Sequence, residues 1–187
     1  MVLVYGGSFN PPTIAHEKII NDLYAKFKPE KIIIIPVGDP YDWKTNLVKF
    51  NHRFNMTKIM TRNLNYVEVS DIENTNQFSG SFETLKKLSQ TYNDLYFVVG
   101  TDHIKTLDKW INYQKLIEEF KFIIITRNNY SLDLEFLDKL KIKYETLTFK
   151  SNISSTKIRT NINLYKNDLN PNVYNYIIEN KLYKVGE

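Results

Sequence analysis

The chain has 187 residues, 42% of them hydrophobic and 25% charged, a balance that supplies a core and excludes a disordered chain. This length lies within one ordinary domain of roughly 100–200 residues. Cysteine is absent, which excludes disulfide staples, cysteine-ligated metal centres and thiol nucleophiles.

The net charge is +4, with 21 lysines and 4 arginines, and the lysines are interspersed with acids. That pattern reads as a solvated surface, not a nucleic-acid interface. No run approaches the ~18 apolar residues of a membrane span, and the start MVLVYGGSFN lacks the basic head and apolar middle of a leader. We expect a cytoplasmic protein without nucleic-acid or membrane partners.

Val2–Tyr5 (VLVY) predicts a first strand, apolar on both faces as in a parallel sheet. It runs into GGSFNPPTIAH, residues 6–16. Adjacent glycines let backbone N–H groups approach a ligand closely. A helix predicted over Thr13–Phe27 and ended by Pro29 aims its positive end at the same place, which suits a phosphate. Thr13 and His16 share its first turn. The loop has neither a Gly-Lys-Ser/Thr cradle nor the GxGxxG spacing. A tight turn with a capping Thr and a surface His fits the same residues.

Lys31–Pro36 (KIIIIP) predicts the second strand, followed by a long loop that carries Trp43 and Lys44. A helix over Asn51–Leu64 opens with His52 and Arg53 and directs Phe54 and Met56 to the core. Tyr66–Val69 is a third strand, Ser81–Tyr92 a helix and Leu95–Val99 a fourth strand ending at Gly100. Asp102 then stands at the sheet's carboxyl edge, where it fits a carboxylate facing a ribose or cation, or the N-cap of a short helix at His103–Asp108. A helix at Gln114–Glu119, a strand at Phe120–Thr126, a helix at Leu132–Leu140 and a weaker strand at Lys143–Phe149 complete the alternation.

This order predicts an α/β fold with a doubly wound parallel sheet. After it come a polar turn at Ser151–Thr156, a helix over Lys157–Lys166, and a last helix over Val173–Lys181 led by Pro171. We read one domain, 1–187, with an α/β core over 1–150 and a helical C-terminal lobe over 151–187. In NISSTKIR, residues 152–159, Lys157 and Arg159 oppose the dipole at a helix start. A bound polyphosphate would resolve that conflict; a surface helix start with two solvated cations is the alternative.

With these segments in place the chain resembles the nicotinate/nicotinamide mononucleotide adenylyltransferases of the HxGH-type nucleotidyltransferase superfamily, over nearly its whole length. GGSFNPPTIAH is similar to GGxFxPxHxGH, with Thr13 for the first His and Ala15 for the glycine. NISSTKIR carries SSTxIR, FVVGTDHIKTLDKW resembles FIxGxDxxxxLxxW, and NVYNYIIENKLY is a family-like ending. Two segments depart: DPYDWK stands where bacterial members show PPHK, and SGSFETL replaces SYTxxTL, with Gly80 in the tyrosine's place.

The resemblance implies a Rossmann-like nucleotidyltransferase fold and adenylyl transfer from ATP to nicotinate mononucleotide in NAD biosynthesis. Nicotinamide mononucleotide is implied as a second substrate, and Mg²⁺ comes with ATP, not from a protein metal site. It implies His16, Lys44 and Arg159 as catalytic, with His16, if cationic, meeting charge at the α-phosphate. Gly7, Ser8, Phe9, Thr13, His16, Ser155, Thr156, Lys157 and Arg159 are implied at ATP, and Lys44, Ser81, Thr84, Gly100, Asp102 and Trp110 at the pyridine nucleotide. The spacing from Asp102 to Trp110 resembles the acid-preferring bacterial branch.

A pantetheine-phosphate adenylyltransferase is the nearest rival, and SSTxIR together with G-x-D and its downstream tryptophan argues against it. A non-catalytic nucleotide-binding sensor would not need to keep His16, Lys157 and Arg159. Association into a homo-oligomer leaves no readable period and stays open.

Overall fold

A computed structural model describes residues 1–41, 46–127 and 132–183. Trp43 and Lys44 lie outside the described residues. Strands β1 (Val2–Gly7), β2 (Lys31–Pro36), β3 (Val67–Val69), β4 (Leu95–Gly100), β5 (Lys121–Arg127) and β6 (Tyr144–Phe149) form one sheet in the order β3-β2-β1-β4-β5-β6. Every pairing is parallel. Helices α1 (Ile14–Phe27), α2 (Phe50–Thr61), α3 (Ser81–Leu88), α4 (Thr101–Ile104), α5 (Tyr113–Glu119), α6 (Leu134–Leu140), α7 (Ser155–Thr160) and α8 (Pro171–Glu179) connect and follow the strands.

The expected doubly wound sheet is therefore observed, its sixth strand included. Its apolar strands are covered on both faces. Ile32 and Ile34 of β2 pack with Leu3, Ile19, Leu23 and Met56, whereas Ile33 and Ile35 pack with Val2, Val4 and Leu85. Each such side chain contributes roughly 1.5–3 kcal/mol by leaving water. Ile158, Ile162, Val173, Ile177 and Leu182 join the first of these clusters. The C-terminal helices thus close the face that holds α1 and α2.

Four local expectations are corrected. The helix expected to reach Lys166 stops at Thr160, because Asn161 Oδ1 accepts the Leu164 N–H at 2.9 Å and turns the chain. Helix α3 ends at Leu88, where Ser89 Oγ donates to the Lys86 carbonyl at 2.8 Å. Asp102 is no N-cap: α4 begins at Thr101 with Gly100 in that role. Phe54 is half-buried, outside the core that Met56 enters. Pro171, in contrast, occupies the first position of α8, capped by Asn170.

Arg53 is the largest fully buried side chain among the described residues. Its Nε donates to the Val48 carbonyl at 2.8 Å, and Nη1 donates to those of Val37 at 2.6 Å and Ser8 at 3.2 Å. Nη2 meets Asp39 Oδ1 at 3.0 Å, and the same oxygen accepts the Phe50 N–H at the start of α2, at 2.7 Å. Burial pulls the guanidinium pKa down while Asp39 pushes it back up, and an arginine stays charged through such a shift. One side chain so joins the ends of β1 and β2 to α2. Replacing it, Arg53→Leu, strands three carbonyls and is expected to cost about 3–5 kcal/mol, read as a lowered urea midpoint. A loss under about 0.5 kcal/mol, the range of an ordinary surface change, would contradict this role.

Candidate active site

Strand β1 pairs with β4 only from Val2–Leu95 to Tyr5–Val98. Beyond that point Gly6 and Gly7 stay with Ile35 and Pro36 of β2, while Val99 and Gly100 stay with Ile124 and Ile125 of β5. The two central strands therefore part where the strand order reverses, which is where open α/β sheets bind ligands. A cavity of about 500 Å³ lies on one side of this crevice, between the loop after β1 and the start of α7. A smaller one of about 100 Å³ lies toward α3, and an apolar hollow of about 140 Å³ adjoins it at Trp110.

The loop after β1 is held rigidly. Phe9 is buried with a left-handed φ of 46°, its ring edge-on to Tyr5 at 5.6 Å. A Cβ on Gly7 would press to 3.1 Å from that ring, so this glycine seats Phe9 as well as baring its backbone. Asn10 is buried, and its side-chain amide and its carbonyl are all hydrogen-bonded. Nδ2 donates to the Asn46 carbonyl at 3.0 Å, Oδ1 accepts from Val48 N–H at 3.3 Å and Tyr183 O–H at 2.8 Å, and its carbonyl accepts from Arg159 Nη1 at 2.8 Å. Burial raises the Tyr183 pKa even beside Arg53 and Arg159, so it serves as a neutral donor. Ser155 Oγ donates to the Pro11 carbonyl at 2.9 Å, and Arg159 Nη2 to Thr156 Oγ1 at 3.3 Å.

Thr13 caps α1, and the reciprocal bond comes from His16: the Thr13 N–H donates to His16 Nδ1 at 3.1 Å, with Thr13 Oγ1 at 2.8 Å from the same nitrogen. A backbone N–H only donates, so Nδ1 is an acceptor and the ring proton sits on Nε2. The sequence reading left the charge of His16 conditional; with Nδ1 accepting, this geometry holds the neutral tautomer with an Nε2–H donor. Its ring leans on Phe9 at 5.2 Å.

The larger cavity gathers Gly7, Ser8, Phe9, Thr13, His16, Ser155, Thr156 and Arg159. Lys157 is exposed and does not line it. Gly100 borders both cavities, but Asp102, expected with the pyridine nucleotide, borders the larger one. Ser81, Thr84 and Trp110 line the smaller cavity. The Thr84 hydroxyl is committed to Glu73 Oε1 at 2.9 Å, which makes it part of the wall.

Sequence reasoning missed Tyr41, Phe78 and Glu73, which also line this side. Tyr41 and Phe78 meet edge to face at 5.1 Å, and Trp110 packs likewise on Phe97 at 6.1 Å. Burial raises the Glu73 pKa, and its Oε2 is the buried side-chain oxygen without a hydrogen-bond partner among the described residues. These residues come from irregular segments that no periodicity marks; Tyr41's place in a long loop was the sole signal. His52 reaches Tyr176 O–H at 3.0 Å on α8, away from the crevice. Among the described residues no three His, Asp or Glu side chains gather to hold a metal ion, and no helix is long and apolar enough to cross a membrane.

Comparison with known proteins gives a consistent picture. The cytidylyltransferase-like family model matches residues 4–161. The chain is 60% identical over 184 residues to the "Probable nicotinate-nucleotide adenylyltransferase" of Acholeplasma laidlawii, covering 98% of each chain. It is 39% identical to the protein of the same name from Fusobacterium nucleatum, covering 86% of each. Among solved structures it is similar to Plasmodium falciparum nicotinic acid mononucleotide adenylyltransferase complexed with NaAD, with a TM-score of 0.86, 28% identity, and 99% and 98% of the two chains covered. The split crevice, the capped His16 and these relatives agree: the chain belongs to the nicotinate-nucleotide adenylyltransferases, nucleotidyltransferases of the cytidylyltransferase-like family.

Proposed function

We propose that the chain joins the 5′-phosphate of nicotinate mononucleotide to the α-phosphorus of ATP and releases pyrophosphate. The observation that carries this reading is the single crevice with two unlike halves. One half is polar, built on the loop after β1 and α7; the other is lined by Tyr41, Phe78 and Trp110. The attacking phosphate is already an anionic nucleophile, so the protein must supply alignment and charge stabilisation, not a strong base.

In this reading a mononucleotide phosphate oxygen bonds to the α-phosphorus, and the bond from that phosphorus to the bridging oxygen of pyrophosphate breaks. Ser8, Thr13 and the backbone at Gly7 and Phe9 meet the triphosphate, with Ser155, Thr156 and Arg159 opposite. His16 Nε2–H donates to oxygen that gains charge as the bond breaks. Mg²⁺ enters as part of the substrate MgATP, bound mainly by phosphate oxygens and water. Lys44, outside the described residues, is the cation that the sequence resemblance assigns to the mononucleotide.

The acid is favoured over the amide by the start of α3. Gly80, at φ 86°, and Ser81 line the hollow beside Trp110, and N–H groups at a helix start suit a carboxylate. An amide turns its NH₂ toward one of these donors, which costs ~1–3 kcal/mol. We expect kcat/KM for nicotinate mononucleotide to exceed that for nicotinamide mononucleotide by about one to two decades; a ratio near one would remove the acid preference. Pyrophosphate release from MgATP, with each mononucleotide or phosphopantetheine offered separately, tests the reaction. Turnover with phosphopantetheine alone, or none with any acceptor, would reject it in favour of the rival enzyme or a sensor.

Two substitutions test the assigned groups. His16→Ala is expected to lower kcat by ~10²-fold or more with a modest change in the KM for ATP, because its donor meets charge formed in the transition state. A change confined to KM would make His16 a ground-state contact. Arg159→Lys is expected to fold and to lose most activity, since one ammonium cannot span the Asn10 carbonyl, Thr156 and a phosphate as the planar fork does. Undiminished turnover would show that any cation suffices.

A further inference from the structure

We propose that His103 binds the 5′-phosphate of the incoming mononucleotide at the boundary between the two cavities. The inference rests on the adenylyl-transfer reading and adds a residue that the sequence motifs pass over.

The two cavities share Gly6, Gly7, Ser8, Gly100 and His103 among the described residues. Three of these are glycines and Ser8 offers a neutral hydroxyl, so His103 is the shared side chain able to carry a positive charge. It also lines the aromatic hollow with Trp110. The arginine and the second histidine of the crevice, Arg159 and His16, border the larger cavity and not the smaller one. A mononucleotide seated with its ring near Trp110 extends its phosphate toward the shared boundary, because the α-phosphorus lies on the other side. The described residues of the smaller cavity include Glu73 but no lysine or arginine. A phosphate crossing from that side meets His103.

The backbone beneath His103 is fixed. Thr101 is fully buried and its hydroxyl donates to the Ile125 carbonyl at 2.8 Å, while Ile104 is 1% exposed. These two anchors hold Asp102 and His103 outward at the end of β4. Asp102 Oδ2 lies 3.7 Å from His103 Nε2, an ion pair whenever the ring is protonated on both nitrogens. The His103 side chain is 47% exposed.

The test crosses a side-chain change with a ligand change. His103→Gln keeps a polar side chain of similar length but no charge, and His103→Lys keeps a cation. For His103→Gln we expect the KM for nicotinate mononucleotide to rise about tenfold or more, as for loss of a charge-assisted contact, while the KM for ATP moves less than about twofold. His103→Lys should recover most of the loss. In calorimetric titrations nicotinate riboside, which lacks the phosphate, should bind parent and His103→Gln alike. Equal losses for riboside and mononucleotide, or an unchanged KM for the mononucleotide, would overturn the assignment. Failure of the parent to turn over nicotinate mononucleotide would instead overturn the reading beneath it.

Discussion

The crevice exists because β1 and β4 stop pairing after Tyr5 and Val98. Each strand continues for two residues beyond that point, held by its outer neighbour, so the gap is framed by hydrogen-bonded backbone on both sides. The cavity residues at and just after these strand ends are small or polar: Gly6, Gly7 and Ser8 on the β1 side, Gly100 and Asp102 on the β4 side. Rigid strands diverging at a fixed point set the spacing between two ligands without a dedicated domain interface. The rest of the site decorates that frame.

The loop leaving β1 needs support because its Phe9 backbone is left-handed and its polar groups are buried. Support comes from distant parts of the chain. Arg53 binds the Ser8 carbonyl, Arg159 the Asn10 carbonyl, Ser155 the Pro11 carbonyl and Tyr183 the Asn10 side chain. Buried polar groups that all find partners give a well-defined geometry, and a missing partner exposes the full desolvation cost. Ordering the phosphate-facing backbone before a ligand arrives removes part of the entropy cost of alignment. It also explains why the C-terminal helices share the core of β1 and α1.

Much of this was legible in the sequence. Strands such as Ile32–Ile35 are apolar without interruption, and only a sheet covered on both faces accepts them. GGSFNPPTIAH and NISSTKIR announced their shared cavity through glycine, hydroxyl and cation placement. What stayed hidden was tertiary. In the sequence Arg53 shows only as a residue that opens a helix, yet it is fully buried, because three carbonyls from other segments converge on it. Thr84 fits a ligand contact until Glu73, from an irregular stretch, takes its hydroxyl. His16 was legible by position but not by protonation, which depends on a hydrogen bond to the Thr13 backbone. Lys157 met the motif but is exposed, outside the cavity that Ser155, Thr156 and Arg159 line.

In the adenylyl-transfer reading the crevice brings a mononucleotide phosphate oxygen onto the α-phosphorus of ATP. It is tested most directly by following oxygen. With MgATP and nicotinate mononucleotide carrying ¹⁸O in all its phosphate oxygens, mass spectrometry of both products locates the bond that forms. We expect a dinucleotide that retains all the label, including the bridging oxygen, and an unlabelled pyrophosphate. Label in the pyrophosphate, or release of pyrophosphate with AMP and no dinucleotide, would contradict it.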